Sequence, residues 1–215
     1  METNDTNLAK PGLRERKKQQ TREKIAEVAL RLFAERGYDH TTLAEIAEAA
    51  DVSPRTIFAY YESKEDILFC DEPALFEQLE QTLRQRPPGA TTVDALRDFL
   101  SSLGPPDEGT RLRKQLITAN EHLRLSERAR MGPVEELIAD SIARDLDAGP
   151  DDVRPLLIAA SVTAAFGAVR ERLLEGSPEP ISHEEALGIL DQVLEFLRGG
   201  VEALQREQST TTSGA

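Results

Sequence analysis

Thr42, Ser53 and Ser63 each carry a helix-start signal, and so little chain separates them that only short helices fit between. Thr42-Leu43-Ala44-Glu45 is a capping box, in which the threonine hydroxyl and the glutamate three residues on satisfy each other's neighbouring N–H groups. Ser53-Pro54 sets a cap before a proline at the first helical position, where the missing N–H costs nothing. Ser63 with Asp66 repeats the box and opens a further helix. Between the first two starts, Leu43, Ile46, Ala47 and Ala50 make one apolar side, and Asp51-Val52 make a turn. Two stubby helices joined by such a turn form a helix-turn-helix.

Ahead of this motif, Ile25, Val28, Ala29, Leu32 and Phe33 recur at helical spacing. Gly37 is expected to end that helix in a left-handed cap, with Tyr38 supplying the apolar contact. The net charge of −13 argues against a nucleic-acid partner, but its distribution does not. Residues 1–64 are electrically balanced, and the whole imbalance falls on the remainder. Lys10, Arg14, Arg16, Lys17, Lys18, Arg22 and Lys24 form a basic stretch that can meet a polyanion, because screening makes local charge outweigh the total.

The second short helix has two faces. Ile57 and Tyr61 point inward against Ile46, while Pro54, Arg55, Thr56, Ala59 and Tyr60 point outward. Outward apolar groups suit thymine methyls and sugars, and Arg55 can make a bidentate contact to guanine. Thr42, Ser53 and Lys64 sit at helix N-termini, which attract phosphate. Each cap taken singly needs no ligand, and a basic run alone fits a solvated helical turn. Together they point to double-stranded DNA.

The remainder reads as helix. A long helix is expected from Lys64 to Pro87-Pro88, kinked or broken near Asp71–Pro73, as a lever leading out of the DNA module. Others are expected at about 91–103, 108–128, 131–148, 151–175 and 183–206. No alternating apolar run predicts a strand. Residues 1–13 and 207–215 read as a disordered arm and tail. The longest apolar stretch, Leu156–Val169, is too short for a membrane span. With no signal peptide visible and one cysteine, Cys70, the expected location is the cytoplasm. No cofactor or metal is implied: His40, His122 and His183 lack ligand partners at metal spacing, no phosphate-binding glycine loop occurs, and no catalytic constellation argues for an enzyme. A helical protein-interaction adaptor that uses the motif only for packing is the alternative.

The segment "TREKIAEVALRLFAERGYDHTTLAEIAEAADVSPRTIFAYYESKEDIL", Thr21–Leu68, closely resembles the DNA-binding domain of TetR-family transcriptional regulators, with Arg14–Gln20 as the basic lead-in. The run Ser-Pro-Arg-Thr with Ser-Lys-Glu-Asp is similar to an actinobacterial branch that includes the mycofactocin-associated regulators. The resemblance implies an all-α chain: a helix-turn-helix domain over 14–63 and a helical effector-binding and dimerisation domain over 64–206. It implies phosphate contacts from Thr42 and Lys64, and a DNA-facing set of Ser53, Pro54, Arg55, Thr56, Phe58 and Tyr60, with Lys17 and Lys18 in the lead-in. Phe58 stands where the family usually has tyrosine and loses the hydroxyl. Asp51 replaces the usual turn glycine, a substitution that left-handed geometry tolerates.

Such a module reads a half-site, so a homodimer on a palindromic operator is expected. The small residues of Val153–Leu174, among them Ala160, Ala164 and Ala168, and the stripe of Leu190, Leu194 and Leu197 would form its four-helix seam. The middle helices would enclose a pocket for a small apolar or amphipathic effector. Its candidate walls are Phe69, Leu79, Phe99, Leu116, Leu123 and Phe166, and its polar anchors Asn120, Ser141 and Thr163, although such residues at helical spacing serve equally as plain core. The expected function is a ligand-responsive regulator, a repressor by family default.

Overall fold

Each short helix begins at the cap that predicts it. In the computed structural model, which describes residues 12–174 and 182–212, the chain divides into two units between Cys70 and Asp71. The first holds α1 (Leu13–Arg36), α2 (Leu43–Ala49), α3 (Pro54–Phe58) and α4 (Lys64–Leu68). The Thr42 hydroxyl accepts from the Glu45 N–H, and Glu45 Oε2 accepts from the Thr42 N–H at 2.8 Å, completing the box. Ser53 accepts from the Thr56 N–H and Ser63 from the Asp66 N–H, both at 3.1 Å.

Ile25, Val28, Ala29, Leu32 and Phe33 of α1 are buried, joined by Ile46, Ala47, Ala50, Ile57, Tyr61, Ile67 and Leu68. Burial of each large aliphatic side chain stabilises by roughly 1.5–3 kcal/mol relative to exposure. Asp51 takes φ 56°, the left-handed geometry the turn requires. Gly37 also has positive φ, 89°, but its ψ of 148° is extended rather than the expected left-handed helical cap. The Tyr38 ring still closes the end of α1, its centroid 5.0 Å from that of Phe33.

The helix expected from Lys64 is broken close to Asp71–Pro73, as the proline there predicts. α4 ends at Leu68, and α5 (Glu72–Arg84) starts afresh with Pro73 in its first turn. Proline is compatible with that turn because the N–H groups there have no intrahelical partner. Since α4 packs on α1, it belongs with the first unit rather than beginning the second at Lys64.

The second unit adds α6 (Thr92–Ser102), α7 (Glu108–Ala119), α8 (Glu121–Arg130), α9 (Gly132–Leu146), α10 (Arg154–Leu174) and α11 (His183–Thr212). The helix expected over 108–128 is broken at Asn120. That residue adopts extended φ/ψ of −124° and 116°, and its side chain caps α8 by accepting from the Leu123 N–H. The tail expected to be disordered from Glu207 is helical to Thr212, and residues 1–11 and 213–215 lie outside the described residues. Leu79, Leu83, Leu96, Phe99, Ile138, Ile142, Ala159 and Leu194 share one core. A polar knot pins α6 to α9: Asp145 pairs with Arg86 at 2.5 Å and accepts from the Thr92 N–H, while the Thr92 and Ser141 hydroxyls lie 2.8 Å apart.

Candidate nucleic-acid interface and effector cavity

α3 divides as its sequence predicts on the inner side. Ile57 is fully buried, and the Tyr61 hydroxyl donates to the Arg22 carbonyl of α1 at 3.0 Å. On the outer side Ser53, Pro54, Arg55 and Phe58 are exposed, Phe58 by 60%, and Thr56 is half-buried. The helix is shorter than its sequence suggests. Ala59 caps it, and Tyr60 falls in the following turn, half-buried, its N–H bonded to the Ile57 carbonyl at 2.9 Å. Lys17 and Lys18 are exposed on α1.

Two expected phosphate ligands already hold partners within the protein. The Thr42 hydroxyl donates to Glu45 Oε2 at 2.8 Å, and bonds from the Thr42 N–H and hydroxyl hold the Glu45 carboxyl below the usual carboxylate range. Lys64 Nζ donates to the Tyr38 carbonyl at 2.9 Å and lies 4.5 Å from the Tyr38 ring centroid. An ammonium has three donors, so this geometry aims Lys64 while leaving hydrogen-bonding capacity. The periodicity of the sequence carries no sign of the Tyr38 contact, which joins residues far apart in the chain.

Within the second unit a cavity of about 70 Å³ lies between α5, α6, α9, α10 and α11. It brings together Leu79, Phe99, Thr163 and Phe166 of the expected walls, with Met131 and Val134 added. The other expected wall residues are elsewhere. Phe69 is buried in the first unit, and Leu123, fully buried, is not among the lining residues. Leu116 is half-buried off the cavity, Asn120 caps α8, and Ser141 belongs to the Arg86 knot. Thr163 spends its hydroxyl on the Ala159 and Ala160 carbonyls, each at 3.1 Å, so it presents mainly its methyl.

Three residues expected at the dimer seam also line this cavity: Leu190, Leu194 and Leu197 face into their own chain. Their stripe is the inner face of α11. The outward faces carry Leu156 and Leu157 of α10, with Ala164 and Ala168 exposed and Ala160 half-buried, and Ile189 and Phe196 of α11, Phe196 at 81%. Among the described residues no helix is long and apolar enough to cross a membrane.

A capped helix-turn-helix with an exposed arginine, followed by a separate helical unit with an apolar cavity, defines a one-component regulator. Residues 25–69 match the family described as bacterial regulatory proteins, tetR family, and residues 86–202 match the MftR C-terminal domain. The HTH-type transcriptional regulator TcmR of Streptomyces glaucescens is 36% identical over 75% of this chain and 76% of its own. MftR of Mycobacterium tuberculosis, whose name assigns it to mycofactocin biosynthesis, is 29% identical over 80% of this chain and 88% of its own. Among solved structures, SmeT in complex with triclosan superposes with a TM-score of 0.61 at 22% identity, covering 82% of this chain and 91% of that one. The chain belongs to the TetR family of transcriptional regulators, with a C-terminal domain of the MftR type. It is a DNA-binding regulator rather than an enzyme or a packing adaptor.

Proposed function

We propose that the protein is a repressor that binds a palindromic operator as a homodimer and releases it when a small apolar or amphipathic effector enters the second unit. The observation that carries the DNA half is the outer face of α3. Arg55 and Phe58 stand exposed beside the Ser53 cap while Ile57 of the helix, and Tyr61 in the segment after it, are buried behind. In this reading Arg55 reads a base edge, Phe58 packs on thymine methyl or sugar, and Ser53, Pro54, Thr56 and Tyr60 complete the surface. Lys17, Lys18, Thr42 and Lys64 meet the backbone, with Thr42 acting through its helix terminus because its hydroxyl is engaged.

The dimer seam is the outward face of α10 and α11, centred on Leu157 and Phe196 and lined by Ala164 and Ala168. Paired about a two-fold axis these helices make a four-helix bundle.

The cavity supports regulation by its size. Its volume of about 70 Å³ falls well short of the roughly 300–1,000 Å³ of a small-molecule site. An effector therefore parts the surrounding helices to enter and selects a wider state of the unit. If that state binds operator poorly, effector and DNA oppose each other by the same factor, typically worth roughly 1–3 kcal/mol. The test is a pair of titrations with any compound that raises the melting temperature in a screen. Operator affinity should fall with compound bound, and compound affinity should fall equally with operator bound. An operator affinity indifferent to a bound compound contradicts the regulatory half.

A further inference from the structure

A cluster of charges lies close in sequence to two residues that line the cavity, although none of its members is itself a lining residue. Those lining residues are Met131 and Phe166. Glu127 stands one helical turn before Met131, and Arg170 one turn after Phe166. At 1.5 Å rise per residue, each lies about 6 Å along its helix from the lining residue. The two meet: Arg170 Nη1 donates to Glu127 Oε1 at 3.1 Å, and Lys114 Nζ donates to Glu127 Oε2 at 3.1 Å. Glu72 of α5 joins the group, 3.6 Å from Arg130, and burial pushes its carboxyl above the usual range. Beside it Arg113 pairs with Asp71 at 2.7 Å.

Lys114 is the informative member. It is only 6% exposed, and one carboxylate, Glu127, is shared between it and Arg170. Replacing such a buried ion pair by apolar residues of similar volume is often neutral or stabilising, so stability alone does not call for it. Arg113, Lys114, Arg130 and Arg170 outnumber Asp71, Glu72 and Glu127, and Arg113 Nε is buried without a hydrogen-bond partner. Lys114, Glu127 and Arg113 are largely withdrawn from water, where a cation attracts an anion more strongly than it does at the surface. The positive excess also stands out in a chain whose net charge is −13.

We propose that the effector carries an anionic group on an apolar body: the body enters the cavity beside Phe166 and Met131, and the anion takes the place of Glu127 on Lys114 and Arg170. This rests on the cavity being the effector site. Glu127 then acts as an internal counter-ion that the ligand displaces.

The probe pair is 8-anilinonaphthalene-1-sulfonate and its uncharged parent N-phenyl-1-naphthylamine, titrated by fluorescence into the full chain. The two share a ring system and differ by the sulfonate. The net charge of −13 works against the sulfonate overall, and the basic stretch on α1 is the competing cationic surface, so it is the loss of the preference in Lys114→Met that reports the local site. The sulfonate should bind at least about tenfold tighter than the parent, a difference of about 1.4 kcal/mol. Lys114→Met should remove most of that preference while leaving the parent's affinity almost unchanged. Glu127→Gln should strengthen sulfonate binding alone.

Phe166→Ala should weaken both probes. If it changes neither, or if neither probe binds, the cavity reading itself fails and the proposal with it. If Phe166→Ala weakens both but the sulfonate binds no tighter than its parent, or Lys114→Met weakens both alike, the cavity stands and the anion claim is overturned. Should Lys114→Met not fold, Glu127→Gln decides: unchanged or weaker sulfonate binding overturns the proposal.

Discussion

Tyr61 and Arg22 hold each other in two ways: the Tyr61 hydroxyl donates to the Arg22 carbonyl at 3.0 Å, and the Arg22 guanidinium lies 5.6 Å from the centre of the Tyr61 ring. The pair ties the segment that follows α3 to the α1 helix that bears the basic stretch. Tyr61→Phe keeps the buried ring and removes the donor. It should lower the stability of the first unit by about 1 kcal/mol, the net worth of one hydrogen bond, read by urea denaturation. No change would mean that packing alone sets the angle between these elements.

Arg55 is exposed on the outer side of α3. Arg55→Ala should leave circular dichroism and melting temperature unchanged. Operator binding, followed by fluorescence anisotropy, should weaken by about 1–3 kcal/mol with relaxed preference at one base pair. Uniform weakening across all sequences would reassign Arg55 to the phosphates.

Phe196 is the most exposed large apolar side chain described. On a two-fold seam of α10 and α11, Phe196→Glu places like charges together and should give a monomer by light scattering, with operator affinity falling by orders of magnitude. A dimer that survives this substitution places the seam elsewhere.

Asp94 anchors α6 to α11. The Thr91 N–H and hydroxyl, assisted by the Arg198 guanidinium, hold its carboxyl at about 2. A carboxyl depressed in the folded state contributes stability above its unfolded value, about 3.9, and loses it as pH falls through the folded one. The stability gap between the wild type and Asp94→Asn should therefore be constant above about pH 4 and close towards pH 2. Because Asp94 is about one-third exposed, the gap should be small, and it should shrink further in salt. A gap that does not depend on pH would deny the charge its role.

The first unit was largely legible because its signals are local. Caps at Thr42, Ser53 and Ser63, the left-handed Asp51 and the apolar period of α1 each act within a few residues. The second unit was legible as helices but not as surfaces. The Leu190, Leu194 and Leu197 stripe announces burial without saying against what, and here the partner is the chain's own core rather than a second copy. Asn120 reads equally as a helix-surface residue and as a cap, so the sequence does not mark the break between α7 and α8. The pairing of Lys114 with Glu127 joins neighbouring helices, and no periodicity records it.

Selection of bound sequences from a random duplex library, followed by titration of the enriched duplex at several salt concentrations, tests the central claim most directly. Specific binding through the α3 face predicts an enriched inverted repeat whose affinity falls steeply and log-linearly with salt. In Arg55→Ala the repeat should be enriched more weakly, with preference relaxed at one base pair of each half-site. Failure to enrich any duplex at low ionic strength, or enrichment indifferent to Arg55, would contradict the account.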